Sequence, residues 1–520
     1  MKNNQNNNLY GIVEGFFSRP LPIWSNKERQ NIIKFVGERS KDINFYLYCP
    51  KQDPYVTEKW DILYPQKEVE DLSKTVLLCQ RYQIKFAYAF NPSVPENLNK
   101  FSIDVYFKKI SRKIDQILNT GIKNIGLLFD DIPQLYDTED NLKINNEREI
   151  SEWLVTLANK VYEKYATKLD NYIFCFYDYY FKKESILSKI IKSRLNQNIK
   201  IIWTGGDRFV KKATLKNYQT ANKITGNNKK IIYWSNYPSN NCESAQSVFN
   251  LGGCNNPDLQ VYTKLNGILV NPMREAYANL PFLLTFAEYL ANPKTYKRSL
   301  SLNNAYKTLF GKYWEEVLRP SKEFSYPNII DKNKFFKTIS PTKFISFLED
   351  IKKVQAEKQY FKTCDTYSPL FLETIKPLFR DAKFYTNLCI GLLNNKNISY
   401  KEFVKSDHFP EYTKTDRYLF EINKIILKRL RMVELFINKN ISNKYLTLKF
   451  IINNLEKKYM GSTKLNIKRQ ESTQMLSLIK EIINWERKLI FMSIVENIEI
   501  KPKDKIRLLI ERKNINRYSL

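Results

Sequence analysis

The chain has 520 residues, 43% of them hydrophobic and 14% aromatic, which is too long for one ordinary core and too apolar for a disordered chain. The formal net charge is +30, yet the 84 Lys and Arg are scattered among Asn, Ile and Tyr with no arginine-rich run, zinc-finger spacing or helix-turn-helix signature, so charge alone does not argue for nucleic acid. A single histidine, His408, excludes Ser/His/Asp and Cys/His triads and multi-histidine metal sites, which leaves carboxylates, amides and tyrosines for any chemistry.

In chain order, short apolar runs predict strands at 10–14, 45–49, 84–89, 125–129, 172–176, 199–203, 230–234 and 267–270. None alternates strictly, as expected of parallel strands covered on both faces. Helical patterns separate them. Ser25-Asn26-Lys27-Glu28 reads as a capping box, Pro65 suits the first position of the next helix, and Gly121 after Asn119-Thr120 stops the third. Eight such alternations in about three hundred residues are the arithmetic of a (β/α)8 TIM barrel. Strand signals vanish past about residue 320. Amphipathic patterns replace them, as in Ile422, Ile425, Ile426, Leu430, Val433 and Ile437, or in Met475, Ile479, Ile482, Leu489 and Met492 after the caps Ser472 and Thr473. The resulting division is a barrel over 1–295, a connecting segment over 296–325 and an all-α helical bundle over 326–520.

Barrel sites lie at the carboxyl ends of the strands. The residues there are Gly15, Lys51, Asn91, Asp130 with Asp131, Tyr179, Thr204, Asn236 and Asn271, a set rich in amides, aromatics and carboxylates. Two adjacent carboxylates after a buried strand raise one another's pKa, so Asp130 and Asp131 are expected to titrate as a coupled pair with one proton held towards neutral pH. Such pairs also occur as plain helix caps or turn residues.

Seven cysteines without C-x-x-C spacing read as reduced core thiols rather than disulfides or zinc ligands. The polar start Met1-Lys2-Asn3-Asn4-Gln5 carries no signal-peptide core, and no run is long enough to span a bilayer, so a cytoplasmic location is expected, with signal-independent export left open. No cofactor and no metal are expected.

Taken as an ordered set, six segments resemble glycoside hydrolase family 84, which holds O-GlcNAcases and bacterial hyaluronidase-type β-N-acetylglucosaminidases. They are Gly11-Ile12-Val13-Glu14-Gly15-Phe16-Phe17, the run from Tyr46 to Tyr55 containing Cys49-Pro50-Lys51-Gln52-Asp53-Pro54, Leu127 to Ile132, Trp203-Thr204-Gly205, Trp234-Ser235-Asn236-Tyr237-Pro238 and Val270-Asn271-Pro272-Met273. The resemblance implies a retaining exo-β-N-acetylglucosaminidase in which the substrate's own acetamido oxygen is the nucleophile and an oxazoline the intermediate. It further implies that Asp130 polarises the acetamido N–H and that Asp131 is the general acid and then the base. Tyr179 would bond the acetamido carbonyl, with Cys175, Thr204 and Trp234 around the methyl. Gly15, Lys51, Asn236 and Asn271 would hold sugar hydroxyls. Two departures stand out. Phe17 replaces a usual Tyr, and Asn241 stands where the family has an Asp, at a cost of ~1–3 kcal/mol in binding. Asn240 is the alternative register for that position, and Asn240→Asp is otherwise expected to do little.

The resemblance also implies a substrate that is a protein or glycan bearing N-acetylglucosamine, and a helical region able to support a homodimer. Nucleic acid and membrane are not expected partners. Two other readings stay open at this point: an inactive or weak glycan-binding protein, if Asn241 and Phe17 signify decay, and a polyanion-binding protein driven by the net charge.

Overall fold

The computed structural model describes residues 8–376 apart from 17–22, 93, 95–101, 131–135, 139–140, 143–146, 209, 211, 228, 241–248, 256 and 324–340. Phe17, Asp131, Asn241 and the helices predicted over 422–437 and 475–492 therefore lie outside the described residues. Among the described residues, 8–240 with Asn250–Leu309 form one compact unit, and Phe249 with the chain from Phe310 forms another.

The first unit is a closed barrel of eight parallel strands. In chain order they are β1 (Leu9–Glu14), β2 (Phe45–Tyr48), β3 (Lys85–Phe90), β4 (Asn124–Leu128), β7 (Asn171–Cys175), β8 (Lys200–Trp203), β9 (Lys230–Ser235) and β10 (Gly267–Val270), with β10 closing on β1. A small hairpin, β5 (Tyr136–Thr138) and β6 (Asn141–Leu142), follows β4. Helices α1 (Asn26–Arg39), α2 (Gln66–Arg81), α3 (Ile103–Leu118), α4 (Glu147–Tyr165), α5 (Ile186–Arg194), α6 (Leu215–Thr225), α7 (Leu259–Tyr262) and α8 (Leu280–Ala291) follow the strands in turn. Every predicted strand is present, with ends within one residue of expectation. The capping box forms at Ser25 and Glu28, Pro65 caps α2 rather than entering it, and Gly121 takes a left-handed φ of 88° beyond α3. The strands start earlier than hydrophobicity suggests at Asn124 and Asn171. These amides stay in the ladder because the Asn171 side chain donates to Asn124 Oδ1 at 2.6 Å and Asn124 to the Phe86 carbonyl at 3.1 Å.

Register fixes which side chains fill the barrel. The register steps by two residues at four seams, Leu9 to Gly11, Lys85 to Ala87, Asn171 to Ile173 and Lys230 to Ile232, so one circuit advances eight residues before β10 rejoins β1. Glu14 and Tyr46 point outward to α1, where Arg29 lies, so the residues alternating with them point inward. Inward side chains fall into tiers of four from alternate strands. The lowest holds Leu9, Lys85, Asn171 and Lys230, and the next Phe45, Asn124, Lys200 and Gly267. Near the upper end, Val13, Ala89, Cys175 and Trp234 form one tier and Cys49, Leu128, Thr204 and Asn271 the tier above.

Between sheet and helices, Glu14 is fully buried and takes both Arg29 Nε at 2.7 Å and Nη2 at 2.8 Å, while Tyr46 donates to it at 2.6 Å. Removing one partner of such a pair strands the other charge out of water. Arg29→Met is expected to cost about 3–5 kcal/mol of unfolding free energy in urea titration. Adding Glu14→Gln should recover most of that loss, and a double variant no more stable than the single one would contradict it.

The second unit is helical where described, with helices Trp314–Glu323, Pro341–Ala356 and Lys358–Cys364 and further helix over 368–376. Arg319 grips Asp350 through Nε at 2.9 Å and Nη2 at 2.7 Å, and Phe310 packs against Phe361 and Phe371. Among the described residues, no helix is long and apolar enough to cross a membrane.

Candidate active site

The polar side chains gathered at the carboxyl ends of the strands come from different strands and meet above the last apolar tier. Asp130, two residues beyond β4, accepts Lys51 Nζ on both carboxylate oxygens, at 2.8 Å and 2.6 Å, and Asn91 Nδ2 on Oδ1 at 3.1 Å. Lys51 is buried, and its ammonium donates three hydrogens and accepts none, so Asp130 presents itself to it as a carboxylate. Lys51 thus faces the carboxylate instead of standing apart as a surface lysine.

The loop carrying Lys51 is anchored by a buried acid. Asp53 takes the hydroxyls of Tyr48 at 2.7 Å and Tyr64 at 2.6 Å and the Tyr55 N–H at 2.9 Å. Beneath the same loop, Lys113 on α3 donates to the Ile62 carbonyl at 2.7 Å and lies 4.2 Å from the Tyr64 ring centre, with burial bringing its pKa down to about 8. Asp53 and Lys113 hold a loop rather than line the pocket. Only the run Lys51-Gln52-Asp53-Pro54 hints at that in the sequence.

Across the barrel mouth, Asn236 Oδ1 accepts from Trp234 Nε1 at 2.8 Å and from Asn271 Nδ2 at 3.1 Å, while its own Nδ2 donates to the Arg208 carbonyl at 2.8 Å. The Trp234 ring lies over Gly15. A Cβ at Gly15 would come within 2.5 Å of it and 3.4 Å of Cys49 Sγ, so this close approach requires glycine. Cys175 and Thr204 are buried in the tiers just below, and Tyr179 is buried on the loop after β7. Neighbouring Asp178, its pKa raised by burial, accepts the Phe181 N–H and the Ser185 hydroxyl and so shapes that loop. Tyr180 donates to the Tyr179 hydroxyl at 3.2 Å, and Arg208 Nε donates to Tyr180 at 3.3 Å. Arg208 and Tyr180 carried no readable signal in the sequence, since a rim Arg and one more aromatic look like ordinary surface.

The structure therefore brings Asp130, Lys51 and Asn91 together on one side and Asn236, Asn271, Trp234 and Gly15 on the other. The Asn271 Oδ1 and Thr204 Oγ1 atoms are buried without a hydrogen-bond partner among the described residues. Asn240 departs from expectation. It is 1% exposed, donates to Glu275 Oε2 at 2.8 Å and accepts the Arg274 N–H at 3.3 Å, so its amide is committed at both ends and the position is not a neutral one. No group of three or more His, Cys, Asp or Glu among the described residues is placed to hold a metal ion.

The chain is similar to known proteins in sequence and in fold. In sequence, the chain is 26% identical over 287 residues to the protein O-GlcNAcase of Rattus norvegicus and equally to that of Mus musculus, covering 54% of this chain and 30% of each relative. The chain therefore corresponds to under a third of those relatives' length. In fold, it resembles CpGH84B, with a TM-score of 0.60 at 19% identity over 90% of this chain and 76% of that one. It also resembles a mutant O-GlcNAc hydrolase of Thermobaculum terrenum, with a TM-score of 0.60 at 21% identity over 88% of this chain and 97% of that one. A sequence model of β-N-acetylglucosaminidases matches residues 10–324, more than half of the chain, and the chain accordingly belongs to that family, glycoside hydrolase family 84.

Proposed function

We propose that this protein is a retaining exo-β-N-acetylglucosaminidase that removes terminal β-linked N-acetylglucosamine, including the O-linked sugar of proteins, by substrate assistance. The observation that carries the reading is the Lys51–Asp130–Asn91 cluster facing a pocket built from Trp234, Asn236, Asn271 and Gly15. A carboxylate held as an acceptor suits the acetamido N–H, which grows more acidic as its carbonyl oxygen attacks the anomeric carbon. In that step the bond from the carbonyl oxygen to the anomeric carbon forms as the glycosidic bond breaks. Asp131 gives its proton to the leaving oxygen, and it later takes one from the water that opens the oxazoline.

On this reading the methyl group rests against Cys175, Thr204 and Trp234, and Tyr179 donates to the acetamido carbonyl. Asn236, Asn271, Lys51 and the Gly15 carbonyl take hydroxyls. Asn241 occupies the position where relatives use an acid, which weakens the grip on the outer hydroxyls and leaves the route through the oxazoline intact. The relatives named as protein O-GlcNAcases support a modified protein as substrate.

A thiazoline mimic of the oxazoline is the direct test, because a site built for that intermediate binds its mimic about a hundredfold or more tighter than free N-acetylglucosamine. Calorimetric titration of both ligands reads this difference. Equal affinity for the two would remove substrate assistance, and turnover of an aryl N-acetylglucosaminide would then separate another hydrolytic route from a mere binding protein.

A further inference from the structure

The other end of the barrel is lined by charge of one sign. Lys85, Lys200 and Lys230 open β3, β8 and β9, and register with alternation turns all three inward. Lys85 and Lys230 share the lowest tier from opposite sides of the barrel. Lys200 lies in the tier above, with its Cα paired to that of Lys230. The other polar residues of these two tiers are Asn124 and Asn171, and no Asp or Glu is among them.

Lys230 donates to Asn198 Oδ1 at 2.9 Å, whereas the side chains of Lys85 and Lys200 have no hydrogen-bond or ion-pair partner among the described residues. Burial first, and then the like charges of Lys230 and Lys85, brings Lys200 down to about 8. Converging ammonium groups without a counter-charge are unfavourable, and a small anion with several acceptor oxygens relieves both the repulsion and the missing hydrogen bonds. An apolar filling would be the ordinary choice for the closed floor of such a barrel, where composition serves stability.

We infer that the amino-terminal mouth of the barrel is a binding site for a small polyvalent oxyanion of the phosphate or sulfate class, held by Lys85, Lys200 and Lys230. The site lies at the opposite end of the barrel from Asp130 and Asn236, so it does not rest on the proposed activity. Its effect is on the stability of the barrel, through selective binding to the folded chain.

The test is thermal unfolding of the full chain at pH 7.5 in sodium phosphate against sodium chloride at equal ionic strength. Phosphate is expected to give a saturable rise in Tm of about 3 °C at ten times its Kd, and chloride no such rise. A nucleoside monophosphate serves as a further arm. Tighter binding of it than of phosphate assigns the site to the phosphoryl end of a larger molecule, and weaker binding assigns it to the free ion. Lys200→Met should abolish the response. Lys85→Gln, at an exposed strand start, should weaken the apparent Kd about tenfold and decides the matter if Lys200→Met does not fold. Absence of a saturable rise in the wild type, or a rise unchanged in both variants, would overturn the site and leave only diffuse attraction to a chain of net charge +30.

Discussion

Asp130→Asn is expected to remove most turnover whatever the leaving group, with kcat/KM on an aryl N-acetylglucosaminide falling by a factor of about 100–1000. On the proposed route the oxazoline must form in every turnover, and a neutral amide stabilises the developing positive charge on the acetamido nitrogen poorly. The same change weakens the bond that holds the buried Lys51, so a second effect travels with it. Losing a charged acceptor beside a buried ammonium costs about 3 kcal/mol or more, readable as a lower urea midpoint. The two effects separate in the double variant Lys51→Met with Asp130→Asn, which removes the stranded cation. Stability should return while turnover stays low. Recovery of turnover together with stability would make Asp130 an anchor for Lys51 and nothing more.

Asp131→Asn should act selectively. A positioned general acid contributes about a hundredfold or more, and only a leaving group that departs as a basic alkoxide needs it. Turnover of an alkyl or peptidyl-serine glycoside should therefore fall by that factor or more, while a dinitrophenyl glycoside loses little in the glycosylation step. The slope of log kcat/KM against leaving-group pKa should steepen accordingly. A uniform loss across the series would reassign the acid, and added azide, which needs no general base, should restore turnover of the activated substrates by attacking the oxazoline.

The barrel could be read from the sequence because each strand is a dense apolar run between punctuated helices, and burial on both faces leaves that pattern little freedom. Strand ends followed the same logic, so Gly15, Lys51, Asn91, Asp130, Asn236 and Asn271 were found as a converging set. What stayed hidden depends on tertiary partners. Glu14 looks like a strand-end acid near a ligand, and only the fold shows that alternation sends it outward to Arg29. Asp53 and Lys113 are 60 residues apart and meet the same loop from different elements, which no local pattern records. Asn240 was read as indifferent because an amide in a polar run carries no sign of Glu275, 35 residues on. The three lysines at the barrel floor fall at the starts of the predicted strands 84–89, 199–203 and 230–234, where nothing local shows which way they face, and only register turns them toward one another.

The hydrogen-bond contacts around Asn236 have a direction, and it is forced by chemistry rather than chosen. An indole N–H can only donate, so the oxygen of Asn236 must face Trp234, and its nitrogen is left for the carbonyl of Arg208, which can only accept. Asn271 must then offer its nitrogen to that oxygen, which leaves its own oxygen buried without a hydrogen-bond partner among the described residues. On the other flank, a guanidinium that cannot accept makes Tyr180 the acceptor from Arg208, and Tyr180 donates in turn to the Tyr179 hydroxyl. The barrel mouth thus has a polarity for protons, with acceptor oxygens at Asn271 and at Asp130. On the proposed function, a ligand that presents donors to these two oxygens is complementary. On the same reading, one with a hydroxyl exchanged for an ether oxygen or fluorine opposite Asn271 sets two acceptors against each other, so chemical polarity, as much as shape, would tell one sugar from another.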